Sequence, residues 1–135
     1  MGFSPEAGPL KIATFNINNI NNRLNNLMAW LARAQPDVVC LQELKVEHRA
    51  FPASALRDLG YHGVWLGERS WNGVAILARE CEPVLTRSSL PGNPNDRQAR
   101  YIEATVNWCA DHFHLSTERK SPTRSSITNW PGSNV

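Results

Sequence analysis

The sequence predicts an α/β fold with a mixed β-sheet, and three observations lead there. Two apolar, β-branched runs, KIATFNI at 11–17 and DVVCLQE at 37–43, read as strands. Between them apolar residues recur at helical spacing, which makes a βαβ unit with parallel strands. The strands that follow are joined by connections too short for helices, so they pair antiparallel.

The first strand stops near Asn16, where the polar cluster NNINN begins. Leu24, Leu27, Met28, Leu31 and Ala32 then form the apolar stripe of a helix, with asparagines before it able to cap the first turn and Pro36 after it as a stop. DVVCLQE shows little alternation, as suits a strand covered on both faces. FPASALRDLG at 51–60 is a short helix with Pro52 near its first turn and Gly60 past its end. YHGVWLG, NGVAILAR, PVLTR and YIEATVN follow as strands, the first two linked by ERSW.

At 135 residues the chain can form one domain or a piece of one, since large doubly layered α/β sandwiches need roughly twice that length. Its 41% hydrophobic and 19% charged residues fit a packed globular chain rather than a disordered or membrane protein. The net charge of +2 leans only weakly toward polyanions. Cys40, Cys81 and Cys109 lack C-x-x-C spacing, and their odd number reads as reduced thiols of small core or surface residues. The leader MGFSPEAGPL has no basic and apolar signal regions, and no long apolar run follows. A cytoplasmic chain with no membrane association is expected.

Parallel strands bring the ends of KIATFN and DVVCLQE to one sheet edge, with Asn16 beside Glu43. A carboxylate there suits magnesium, a hard ion that prefers oxygen and keeps several waters. Glu43 is the candidate direct ligand, and Asn16 would orient it or donate to a phosphate. Polar residues at strand ends are commonly solvated or turn-forming, and spacing alone does not decide. Asn72 and Gly73 form a turn into a strand, with Trp71 lining a groove or covering core. Arg97 and Arg100 precede YIEATVN and could fork onto phosphate or form ion pairs.

KIATFNIN, QPDVVCLQELK, Phe51-Pro52, LGY at 59–61, NGVAIL and QARYIEA occur here in a fixed order. In that order, from Lys11 to Asn107, the chain resembles exonuclease III-like DNA-repair nucleases of the endonuclease/exonuclease/phosphatase superfamily. The resemblance implies the N-terminal half of a four-layered α/β sandwich. It implies magnesium, or manganese in its place, and double-stranded DNA with abasic sites or 3′ ends as partner. It places Asn16 and Glu43 in the metal and catalytic site, while Asn72 and Arg100 stand as the candidate substrate-binding residues. Asn19 stands where the family commonly has glycine, and asparagine can adopt the left-handed backbone such a turn needs.

The family pattern stops after Asn107: the tyrosine and PNG loop, D-x-N, a further aspartate and S-D-H do not follow. The tail WCADHFHLSTERKSPTRSSITNWPGSNV is polar and reads without strand alternation. A permitted set of codons for Trp108 to Arg124, read one base later, gives GVLITSIYLPNGNPRP, the missing strand and motif. Ser126 to Asn134, in another frame, regroups as FDYKLAWFK, which resembles the family's next helix. The expected organisation is therefore a leader at 1–10, a partial domain at 11–107 and a frame-shifted tail at 108–135. His112 and His114 form an H-x-H pair of metal-ligand type, set aside because it lies in that tail.

These expectations amount to a nuclease of base-excision repair by descent, cleaving 5′ to abasic sites and trimming 3′ ends, and inactive as this polypeptide. A non-catalytic DNA- or partner-binding fragment, or a phosphoesterase with another substrate, are the alternatives. A folded chain would be monomeric, although half a sandwich would expose its inner face and leave an open strand edge after YIEATVN.

Overall fold

The computed structural model describes residues 9–69, 72–89, 92, 95, 98–108 and 111–118, with backbone alone at 108 and 111–113. The expected leader (apart from its last two residues), Trp71, Arg97, Cys109, the His112 side chain and the tail beyond 118 lie outside what is described.

Among the described residues seven strands and two α-helices follow in the order β1 (Ile12–Asn16), α1 (Leu24–Ala34), β2 (Val38–Gln42), α2 (Ala53–Asp58), β3 (Tyr61–Leu66), β4 (Val74–Arg79), β5 (Val84–Arg87), β6 (Tyr101–Trp108) and β7 (Asp111–Glu118). They form two sheets, a mixed one in the order β1-β2-β4-β3 and an antiparallel one in the order β5-β6-β7. The α1 crossover makes β1 and β2 parallel, with Ile12 opposite Val38 and Asn16 opposite Gln42. β4 runs antiparallel to both β2 and β3.

β2 is buried at every position, because each of its faces meets a different core. On one side Leu27 and Leu31 of α1 pack with Phe15, Val39, Leu41 and Leu77. Phe15 and Trp30 meet edge to face at 5.5 Å. Phe51, of the Phe51-Pro52 pair, stacks on Trp65 at 4.3 Å and so anchors the chain between β2 and α2. On the other side Val38, Cys40 and Ile76 pack against Ile102, Ala104 and Val106 of the second sheet. Burial there pushes the Cys40 thiol up to about 12, as fits a small core residue.

Three expectations need correction. The asparagines before α1 do not cap it: Arg23 is the N-cap and makes no side-chain capping bond. Asn19 Oδ1 instead accepts the Asn22 N–H at 3.2 Å, closing the turn ahead of the helix. The inner face of the first sheet is not left open, because the second sheet covers it. Nor is the edge of β6 bare, since β7 pairs with it from Tyr101↔Glu118 to Trp108↔Asp111.

β7 comes from the segment that reads as polar and without alternation. Leu115 packs toward the inter-sheet core and Thr117 is buried, whereas His114 lies on the exposed side. The alternation is present, with threonine in an inward position. Gln42 Nε2 donates to Thr117 Oγ1 at 2.8 Å and to Thr14 Oγ1 at 3.0 Å, tying β7 to β2 and β1.

Candidate active site

The topology gathers all four described candidates at one edge. Asn16 ends β1, Glu43 follows β2, Asn72 lies two residues before β4, and Arg100 immediately precedes β6. Beyond the strand ends the backbone continues as an irregular ladder. Ile17, Asn19 and Ile20 donate to the carbonyls of Gln42, Glu43 and Leu44, each at 3.0 Å. On the far side Leu44 N–H donates to Gly73 O at 3.1 Å and Lys45 N–H to Asn72 O at 2.9 Å. Gly73 N–H then reaches Ala99 O at 2.8 Å, which brings in the approach to β6.

The Glu43 segment is thus held from both sides, and it is held in an uncommon conformation. Glu43 and Lys45 both have φ of 54°, and Asn18 and Asn19 opposite have 48° and 80°. A left-handed backbone costs a non-glycine residue on the order of 1 kcal/mol, and such residues concentrate where structure serves chemistry. Asn19 adopts the conformation that a glycine would otherwise supply.

Side chains add further constraints. Asn16 Oδ1 accepts the Asn18 N–H at 3.0 Å, so the Asn16 amide nitrogen is its donor side at the exposed end of β1. Lys45 Nζ donates to Asn18 Oδ1 at 2.6 Å, and Arg23 Nε to Asn18 O at 3.2 Å. Glu43 is half-buried. Gly73 has φ of 109°, and a Cβ there would sit 2.7 Å from Leu44 Cβ, so only glycine allows this approach.

Asn72 is buried, and its Nδ2 donates to Glu68 Oε2 at 3.1 Å. The same Glu68 oxygen accepts the Ala99 N–H at 2.8 Å. The Asn72 Oδ1 is buried and has no hydrogen-bond partner among the described residues. Reading the sequence missed Glu68, Asn18 and Lys45 as parts of this edge. For Lys45 the LQE-x-K spacing was a signal, whereas Glu68 carries none because its partners are a distant backbone and a turn.

Two other features lie apart from the edge. His114 Nε2 is 2.8 Å from Glu103 Oε2, and Glu103 also bonds the Tyr101 hydroxyl, which makes this an exposed-face polar cluster on the second sheet. Among the described residues no group of three His, Cys, Asp or Glu side chains is placed to hold a metal. A cavity of about 230 Å³ lined by Arg57, His62, Trp65 and Glu82, among others, follows β3 and contains none of the four candidates.

Comparison with known proteins fits this arrangement. The family model described as Endonuclease/Exonuclease/phosphatase family matches residues 13–132. The chain belongs to that family. Its sequence is 40% identical over 97 residues to exodeoxyribonuclease III of Haemophilus influenzae, covering 72% of this chain and 36% of that protein. Among solved structures it is similar to the 3′ phosphatase NExo from Neisseria bound to product DNA hairpin, with TM-score 0.69 and 44% identity over 73% of this chain and 38% of that one. It is also similar to an AP endonuclease from Archaeoglobus fulgidus, with TM-score 0.66 and 42% identity over 73% and 37%. The chain therefore spans little more than a third of the length of these family members. The fold is that of exonuclease III-like hydrolases, and these relatives are named as an exodeoxyribonuclease III, a 3′ phosphatase and an AP endonuclease.

Proposed function

We propose that this chain carries one side of a magnesium-dependent site that hydrolyses DNA phosphodiester bonds in repair, at abasic sites and 3′ ends. The observation that carries this reading is the meeting of Asn16 and Glu43 at one edge, with Glu43 and its neighbours in left-handed backbone. Glu43 would hold the ion through a carboxylate oxygen, as magnesium accepts one or two protein carboxylates and keeps its remaining waters. One half-buried carboxylate beside a side-chain amide, with no third ligand among the described residues, fits that pattern better than a zinc or calcium cage. Manganese would serve in its place. When bound, the ion supplies charge stabilisation at the phosphorus under attack.

Asn16 would donate its amide hydrogens to Glu43 or to a phosphate oxygen. Arg100 would hold a neighbouring phosphate, and Asn72 would face the substrate side of the edge. The same chemistry serves a 3′ phosphomonoester, a second reading favoured by the likeness to a 3′ phosphatase at 44% identity. No helix among the described residues is long and apolar enough to cross a membrane, and Cys40 and Cys81 are free thiols. We place it as a cytoplasmic monomer acting on double-stranded DNA, a reading that rests on the resemblance of its motifs.

The tail from Trp108 is read as frame-shifted, and the sequence holds no D-x-N or S-D-H motif to complete the site. The isolated polypeptide is therefore expected to bind duplex DNA in a salt-sensitive way yet give negligible cleavage of an abasic duplex with magnesium. Gel-resolved cleavage and anisotropy titrations test both parts. Turnover by pure protein that Glu43→Ala abolishes would show a working site and overturn the inactivity. Absence of salt-sensitive binding would remove the DNA reading.

A further inference from the structure

We propose that Glu68 is a positioning residue which fixes both the Asn72 side chain and the Arg100 arm for a phosphate of bound DNA. The inference rests on the functional reading above and extends it to a residue outside the candidate set.

One oxygen of Glu68 accepts two N–H groups, Ala99 N–H at 2.8 Å and Asn72 Nδ2 at 3.1 Å. A backbone N–H can only donate, so that oxygen is an acceptor and must meet the nitrogen of the Asn72 amide. The orientation of Asn72 is thereby set: its nitrogen is used by Glu68, and its carbonyl Oδ1 is the group left buried without a partner among the described residues. A buried carbonyl in that state calls for a hydrogen-bond donor.

Ala99 is fixed at both of its backbone groups. Its N–H goes to Glu68, and its carbonyl receives Gly73 N–H at 2.8 Å. Arg100 N–H turns back to Gln98 O at 2.8 Å, so the arginine leaves from a pinned backbone point. From Ala99 the hydrogen-bond path runs through Gly73 to Leu44, the residue after Glu43. Glu68 therefore relates the position of Arg100 to that of Glu43.

A carboxylate near a polyanion site is electrostatically unfavourable, and this gives the test its sign. Glu68→Gln keeps an oxygen of the right reach, able to accept both N–H groups, and removes the charge. Glu68→Asp keeps the charge and draws the oxygen back by one methylene. Binding of the full chain to a duplex with a recessed 3′ end is measured by fluorescence anisotropy across a salt series.

With a positioning role, Glu68→Gln binds at least as tightly as the wild type. Glu68→Asp weakens binding by about five- to tenfold and flattens the log K against log salt slope by about 0.9, the loss of one phosphate contact. Equal melting temperatures for the two variants would place the difference in recognition rather than in folding. Unchanged affinity and slope in Glu68→Asp, or weakened binding in Glu68→Gln alone, overturns the inference. A wild-type chain that shows no salt-sensitive binding fails at the earlier step and overturns the DNA reading itself, with the phosphate assigned to Arg100.

Discussion

At the end of the first sheet where β2 begins, Asp37 accepts Lys11 N–H at 2.8 Å and the Arg79 guanidinium at 2.9 Å, and Tyr61 donates to Pro36 O at 2.7 Å. The side chains there close on one another across β1, β2, β3 and β4. At the opposite end Glu43, Lys45, Asn18 and Asn19 hold left-handed backbone and Asn72 keeps a buried carbonyl without a partner among the described residues, whereas the first end has two left-handed residues, Gln35 and Glu80, and a buried Arg79 Nε likewise without one. The same four strands run through both ends, so the difference does not come from topology. It teaches that the sheet is fastened mainly by side-chain bonds at one end and gathers left-handed residues on two facing segments at the other, the arrangement expected where a site must stay open to a ligand.

Breaking the fastened end should have the largest effect. Asp37→Ala would strand the Arg79 guanidinium and the Lys11 N–H, and the pKa of Arg79 is raised chiefly by its hydrogen bond to Asp37. Loss of a buried pair costs about 3–5 kcal/mol, and the low end applies because the Arg79 side chain is 34% exposed and partly screened. Urea unfolding should show a loss of about 3 kcal/mol. A loss below about 1 kcal/mol would mean that this end is not the fastened one.

Most of this sheet was legible in the sequence because local patterns and one topological rule suffice. The period of α1, the β-branched runs of β1 and β2, and the right-handed crossover together put Asn16 beside Glu43. The strands β5 and β6 were legible, but their separation into a second sheet was not, because the face that β6 covers depends on contacts between residues far apart in sequence. β7 escaped notice because one of its inward positions is Thr117, whose hydroxyl is satisfied by Gln42, and no sequence period announces that partnership. Glu68 escaped for a similar reason: its bonds reach a turn four residues away and a backbone 31 residues away.

The next prediction concerns the contact between the open end and the scaffold. Gly73→Ala places a Cβ 2.7 Å from Leu44 Cβ on a backbone of φ 109°, so overpacking and a disfavoured conformation act together. The expected loss is about 2 kcal/mol in urea unfolding. Because Leu44 adjoins Glu43, magnesium affinity measured by calorimetry should fall in the same variant. A stability loss with unchanged magnesium affinity would show that the ladder through Gly73 supports the fold but does not place Glu43.

The smallest effect, and the most discriminating one, is expected at Glu43 itself. Glycine adopts φ of 54° without the penalty a side chain incurs, while it adds freedom to the unfolded chain. The two backbone terms oppose each other and the interactions of the half-buried carboxylate are lost as well, so Glu43→Gly should change stability by no more than about 1 kcal/mol. Magnesium binding should disappear, because the carboxylate is gone. A residue that can be removed without harm to the fold, yet holds a strained conformation in the native chain, is one whose placement serves a ligand. If Glu43→Gly instead costs more than about 1 kcal/mol, the carboxylate belongs to the scaffold, and the contrast between the two ends of the sheet loses its functional meaning.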